Sequence, residues 1–257
     1  MGKLWLKWTE IRFLFYWVSS IQLWRFRFLW MRLRGRGKEI NGYVERVSRG
    51  WSLVIFKMLG CRIEISGSEH LPRTGPLVVM SNHQSRYDIP LLVGFLERDL
   101  AFVAKRELYR VPFLSYWMKM LRGYSLDRQK PEESGRAYEA LAEQMVRDGQ
   151  AFIIFPEGTR SRDPEGRIQP MKRGSLRLAE ARGLPVLPVS LDGTRLLDNI
   201  SALKRTPAGE RILRLKVAPP VTVPEGLSAP QRRDLIAALE KTIVSNWETI
   251  RVHWDKA

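Results

Sequence analysis

Beyond residue 60 the chain alternates short apolar runs with longer stretches in which apolar positions recur every three or four residues. CRIEI (61–65), PLVVMS (76–81), LAFVA (100–104), YSL (124–126), AFIIF (151–155), VLPVSL (186–191) and RILRLKV (211–217) predict strands, because each is short and bounded by turn or helix signals. Helices are expected between them, near 88–97, 112–121, 131–148, 170–182 and 229–250. This alternation predicts an α/β domain whose sheet, largely parallel or mixed, is flanked by helices on both faces. Ligands of such sheets bind in crevices outside the carboxyl ends of the strands. Polar clusters fall at three of those ends: SNHQSRYD after PLVVM, DRQK after YSL, and PEGTRSRD after AFIIF.

The first 60 residues follow another pattern. Lys3, Lys7 and Glu10 share one helical face while Leu4, Trp8, Ile11 and Phe15 line the other, and Arg25, Arg32 and Arg36 recur amid Leu23, Trp24, Phe28 and Leu29. A third apolar helix is expected from about Ile40 to Leu59. The longest uncharged run, Phe13 to Trp24, has twelve residues, well short of the roughly 20 a membrane span needs. No small-residue cleavage site follows, only more arginine, so a signal peptide is not expected. The chain thus divides into a helical segment, 1–60, and an α/β domain, 61–257.

Charge sharpens the reading of that segment. The chain of 257 residues carries a formal net charge of +16, and residues 1–38 hold nine Lys/Arg against Glu10 alone, a net of +8. Such an excess calls for an anionic partner. Tryptophan and phenylalanine interleaved with arginine suit the interface of an anionic leaflet. Two alternatives share the composition: a helical hairpin packed on the domain, and a site for single-stranded nucleic acid. No nucleic-acid motif appears elsewhere, so a membrane surface is the expected partner. With Cys61 the only cysteine and three scattered histidines, neither an intrachain disulfide nor a zinc site is expected.

His83 and Asp88 stand five residues apart, about 500° on a regular helix, so their side chains would point some 140° apart there. Contact requires His83 in the loop and Asp88 in the first helical turn, which Pro90 favours. Asp88 would then orient the imidazole, leaving its second nitrogen to take a proton. Ser85 to Asp88 also reads as an S-x-x-D capping box, an ordinary helix start. In FPEGTRSRD, Gly158 permits a sharp turn that exposes backbone N–H groups beside Thr159 and Arg160, a suitable phosphate cradle. The bland reading is a polar loop with Arg160 paired to a surface acid. No G-x-S-x-G, Walker A or G-x-G-x-x-G is present, which disfavours a serine hydrolase or a nucleotide enzyme.

Four blocks in order resemble the glycerolipid acyltransferase family. Asn82 to Asp88 matches N-H-x-x-x-x-D, Phe155 to Ser161 matches F-P-E-G-T-R-S, Ala104 to Arg128 is similar to the block between them, and Leu184 to Thr194 is similar to the proline-centred fourth block. Ser115 stands where many members carry glycine. The resemblance implies acyl transfer from a thioester, on acyl carrier protein or coenzyme A, to the 2-hydroxyl of lysophosphatidate, by direct attack and without a cofactor. Glycerol 3-phosphate or another lysolipid is the alternative acceptor, and a peripheral membrane or nucleic-acid binding protein the non-enzyme alternative. It further implies His83 as general base, Asp88 as its partner, and a phosphate site drawn from Lys105, Arg128, Glu157, Gly158, Thr159 and Arg160. The expected location is the cytoplasmic face of the inner membrane.

Overall fold

The computed structural model describes residues 19, 22–105, 115, 118, 123–126, 131–163 and 165–251. Eight strands form one sheet: β1 (Cys61–Ser66), β2 (Leu77–Ser81), β3 (Leu100–Lys105), β4 (Gly123–Leu126), β5 (Ala151–Ile154), β6 (Pro185–Asp192), β7 (Arg211–Val217) and β8 (Val221–Thr222). Their order is β1-β7-β6-β2-β5-β3-β4, with β8 paired to β6. Strands β6, β2, β5, β3 and β4 run parallel, β1 is parallel to β7, and β7 and β8 meet β6 antiparallel. The sheet is therefore mixed, and each run predicted as a strand lies in it. The two-residue β8 was not predicted, being too short to show a period.

The pleat sorts side chains into two layers. Leu77 and Val79 of β2 point into a core with Leu91, Leu92 and Leu96 from around helix α3 (Asp88–Phe95) and Phe56 from α2 (Gly37–Met58). Val78 and Met80 face the other way, into a core with Leu141, Ala142 and Met145 of α4 (Pro131–Asp148) and Ile236, Leu239 and Ile243 of α5 (Ala229–Ile250). All five residues of β2 are buried, as befits a central strand covered on both faces. A capping box starts α5: Ser228 accepts from the Gln231 N–H, and the Gln231 side chain accepts from the Ser228 N–H at 2.9 Å. The helix expected over 170–182 is instead a 3-10 turn, Arg173–Leu176, followed by one α-turn, Arg177–Glu180. Gly174 lies within the 3-10 turn and Gly183 follows the α-turn, and glycine is a poor helix former. The expected helix at 112–121 lies outside the described residues except Ser115 and Met118, both helical and buried.

The chain divides into two compact units, Met1–Val47 and Ser48–Ala257. The boundary between these units falls inside α2. The physical reason is packing: Phe56 sits in the core with its ring edge against Phe95 at 5.9 Å, and Ser52 lies where a Cβ on Gly94 would come within 2.7 Å. In the smaller unit, helix α1 (22–33) is followed by a turn through Gly35 and by the start of α2. Met31, Tyr43 and Val44 are buried, and the Tyr43 hydroxyl donates to the Trp24 carbonyl at 3.5 Å. The expected helix carrying Lys3, Lys7 and Glu10 lies outside the described residues.

Candidate active site

Three neighbouring parallel strands, β5, β2 and β6, end together, and the sequence motifs leave from those ends. At the end of β2, Asn82 replaces main-chain pairing with its side chain. Its amide donates to the Leu191 carbonyl at 2.9 Å, and its carbonyl accepts from the Leu191 N–H at 2.8 Å. This imitates a peptide group, so β2 stays tied to β6 while its own backbone turns away. His83 is the next residue.

Asp88 opens α3 and is fully buried. Its Oδ2 accepts from His83 Nδ1 at 2.7 Å, the Gln84 N–H at 2.6 Å and the Ser85 N–H at 2.8 Å. Its Oδ1 accepts from the Thr194 hydroxyl at 2.5 Å. The contact with His83 is thus made in the geometry that the spacing requires, with histidine in the loop and aspartate on the first turn. The capping-box reading is met in part: Asp88 accepts from the Ser85 N–H, but the Ser85 hydroxyl accepts from Tyr87 N–H at 3.1 Å rather than from Asp88 N–H. The His83 ring stacks on Phe155, centroids 3.9 Å apart, and its side chain retains 18% exposure. Since Nδ1 is engaged, Nε2 is the ring nitrogen left for a substrate proton.

The second motif is fastened to the first through Glu157, which is also buried. One carboxylate oxygen accepts from the His83 N–H at 2.6 Å, the other from the Gln169 N–H at 2.8 Å. Burial pushes the Glu157 carboxyl above the ordinary carboxylate range, while the two amides pull it back. The Ser161 N–H adds a bond to the His83 carbonyl at 2.8 Å. Glu157, expected to help form the phosphate site, thus has both oxygens on backbone amides and ties the FPEGTR turn to the histidine loop.

The remaining expected residues are placed as follows. Gly158 has a φ of 70° and turns the chain as its position suggests, and its N–H donates to the Phe155 carbonyl at 3.0 Å. Thr159 and Arg160 follow it, both exposed, and among the described residues Arg160 has no ion-pair partner. Lys105 is the last residue of β3, one strand beyond β5. Arg128 lies outside the described residues. Cys61 opens edge strand β1, and burial raises its pKa to about 11 despite the nearby Arg211, so it is no thiolate nucleophile at neutral pH.

Several site residues carry no sequence signal of their own. Asp192, at the end of β6, accepts from the Gln84 side chain at 3.0 Å and from the Trp247 indole N–H of α5 at 2.8 Å. Thr194 follows the tight turn at Gly193. The only hint in sequence is that both belong to the LDGT end of the fourth block.

Comparison with known proteins agrees with this geometry. The family model described as Acyltransferase matches residues 62–192, about half the chain. The 1-acyl-sn-glycerol-3-phosphate acyltransferase of Pseudomonas aeruginosa is 37% identical over 131 residues, 51% of this chain and 49% of that protein. Its namesake from Saccharomyces cerevisiae is 34% identical over 140 residues, 54% of this chain and 46% of that protein. The matched stretch thus spans about half the length of either relative. The crystal structure of the 1-acyl-sn-glycerophosphate (LPA) acyltransferase PlsC from Thermotoga maritima superposes with a TM-score of 0.74 at 31% identity, covering 100% of both chains. A mixed sheet with a His–Asp pair at its carboxyl edge, the family match and this likeness together define the class. The chain belongs to the acyltransferase family.

Two outcomes follow from the bonds to Asp88 and Glu157. Thr194→Val keeps the shape but strips a donor from a buried carboxylate oxygen, a loss of about 1–3 kcal/mol. We expect the rate constant for acyl transfer to fall on the order of tenfold with little change in KM, and Thr194→Ser to restore most of it. Equal losses in both variants would refute a role through the hydroxyl. For Glu157, a raised folded-state pKa means that folding favours the protonated carboxyl. That contribution is fully present below the ordinary glutamate value of about 4.3 and is lost as pH rises through the raised value. The Tm of wild type relative to Glu157→Gln should therefore decline as pH rises through that window, and a relative Tm that climbs would contradict the assignment.

Proposed function

We propose that this protein transfers a fatty acyl group from a thioester, on acyl carrier protein or coenzyme A, to the 2-hydroxyl of lysophosphatidate, yielding phosphatidate. The observation that carries the reading is the His83–Asp88 contact of 2.7 Å, set at the ends of parallel strands beside the turn bearing Thr159 and Arg160. The names of the relatives and of the Thermotoga maritima enzyme support the acceptor.

In this reading His83 Nε2 takes the hydroxyl proton as the oxygen attacks the thioester carbonyl. The tetrahedral oxyanion collapses, the carbon–sulfur bond breaks, and the imidazolium returns the proton to the departing thiolate. Asp88 fixes the Nδ1–H tautomer and stabilises the imidazolium that forms. Arg160, with Lys105 and Arg128, holds the phosphate, because guanidinium grips two phosphate oxygens at once. Neither cysteine nor serine forms an acyl-enzyme.

The acceptor lies in a leaflet, and α1 offers a surface that suits one. Among the described residues, no helix is long and apolar enough to cross a membrane. Leu23, Phe26, Leu29, Trp30 and Leu33 form an exposed stripe on α1, with Phe26 at 74% and Leu33 at 79% exposure. By helical periodicity Arg25 and Arg32 border one side of it and Arg27 the other. Apolar groups entering the interface, with each arginine adding about 1 kcal/mol near an anionic surface, support monotopic attachment at the cytoplasmic face of the inner membrane.

A vesicle assay tests both parts. Anionic vesicles containing lysophosphatidate, with labelled acyl thioester supplied from solution, should yield labelled phosphatidate. His83→Ala should lower the rate roughly 10²–10⁴-fold. Activity that survives this substitution would remove His83 as the base, and labelling of glycerol 3-phosphate but not lysophosphatidate would change the acceptor. Replacing Leu23, Phe26 and Leu33 with serine should release the protein from the vesicles, and undiminished binding would place attachment elsewhere.

A further inference from the structure

Lys172 belongs to no motif that the sequence singles out, yet the fold brings it onto the FPEGTR turn. The segment Gln169–Lys172 runs beside that turn: the Gln169 N–H donates to Glu157 at 2.8 Å and the Lys172 N–H donates to the Pro156 carbonyl at 2.9 Å. The Lys172 side chain then lies across Gly158. A Cβ on Gly158 would come within 2.8 Å of Nζ, 3.1 Å of Cε and 3.2 Å of Cδ. Gly158 is glycine because of its left-handed φ of 70°, and the bare position it leaves is where the end of the Lys172 side chain rests.

The ammonium so held is uncompensated. Among the described residues Lys172 has no ion-pair partner, and neither do Arg160 and Arg162 of the adjoining loop. The carboxylate nearest in sequence to the turn, Glu157, is buried and spends both oxygens on backbone amides. Two cations, Lys172 over Gly158 and Arg160 two residues on, therefore share one exposed turn whose first residues are bonded to His83. A dianion suits a turn that carries two cations. A phosphate monoester, with about −1.5 to −2 charges at pH 7, supplies one and can accept from both.

We propose that Lys172 is a direct ligand of the acceptor's phosphate monoester and helps to select phosphorylated acceptors over neutral ones. The inference rests on the acceptor reading given above and adds a residue to its phosphate site. Arginine supplies directional bonds, whereas lysine supplies a compact point charge. The contact holds the acceptor in binding and in the transition state alike, so it acts on KM rather than on the rate constant.

The test uses the full chain and steady-state kinetics with lysophosphatidate and with uncharged 1-acylglycerol in the same vesicles. Lys172→Met keeps the stem that covers Gly158 and removes the charge. The expected result is a KM for lysophosphatidate raised 10- to 100-fold, a kcat within threefold of wild type, and an unchanged rate with 1-acylglycerol. Lys172→Arg should retain most of the affinity. An unchanged KM in Lys172→Met, or an equal loss with both acceptors, overturns the assignment while leaving the acceptor reading intact. Wild type inert toward lysophosphatidate overturns both.

Discussion

The buried carboxylate of Asp88 takes four hydrogen bonds, from the His83 ring, the Gln84 and Ser85 amides and the Thr194 hydroxyl. A charged group withdrawn from water is tolerated only when its oxygens are fully engaged, so each donor must be in place for the fold to accept it. Those donors come from the ends of two different strands, β2 and β6. The carboxylate therefore fixes the loop after β2 against the turn after β6 and, in doing so, fixes the imidazole. Helix start, strand junction and site are one structural unit.

A second buried carboxylate does the same on the other side. Glu157 leaves the end of β5, binds the His83 backbone and the Gln169 amide, and so couples the FPEGTR turn to the histidine loop. The side chain of Asn82, paired with Leu191 on both of its polar atoms, lets the chain leave the sheet between these two anchors. Trp247 extends the support from α5 through Asp192 to Gln84. The proposed chemistry asks for an imidazole held within a few tenths of an ångström, and these polar bonds supply that rigidity.

Much of this was legible in the sequence. Alternation in short apolar runs gave seven strands, and the 3.6-residue period gave α3, α4 and α5, because those patterns are imposed by burial on one face or two. The His83–Asp88 contact was legible because five residues permit it in only one local geometry. Long-range polar bonds were not: Thr194 reaches Asp88 across 106 residues and Asn82 reaches Leu191 across 109, and no local pattern records such pairings. The backbone bonds of Glu157 to His83 and Gln169 were equally hidden, since its motif shows only that the residue is polar. Lys172 gave no signal because only the fold brings its side chain over Gly158.

The central claim is that Asp88 holds the His83 imidazole with Nδ1 protonated and Nε2 free to accept a proton. Nitrogen NMR of protein labelled at its three histidines, with His83 assigned by its loss in His83→Gln, reads the tautomer directly. With the ring neutral, the account predicts that His83 Nδ1 carries the proton and Nε2 shows the shift of an unprotonated nitrogen. A ring protonated on Nε2 would contradict it, because that nitrogen could then take no proton from an acceptor hydroxyl.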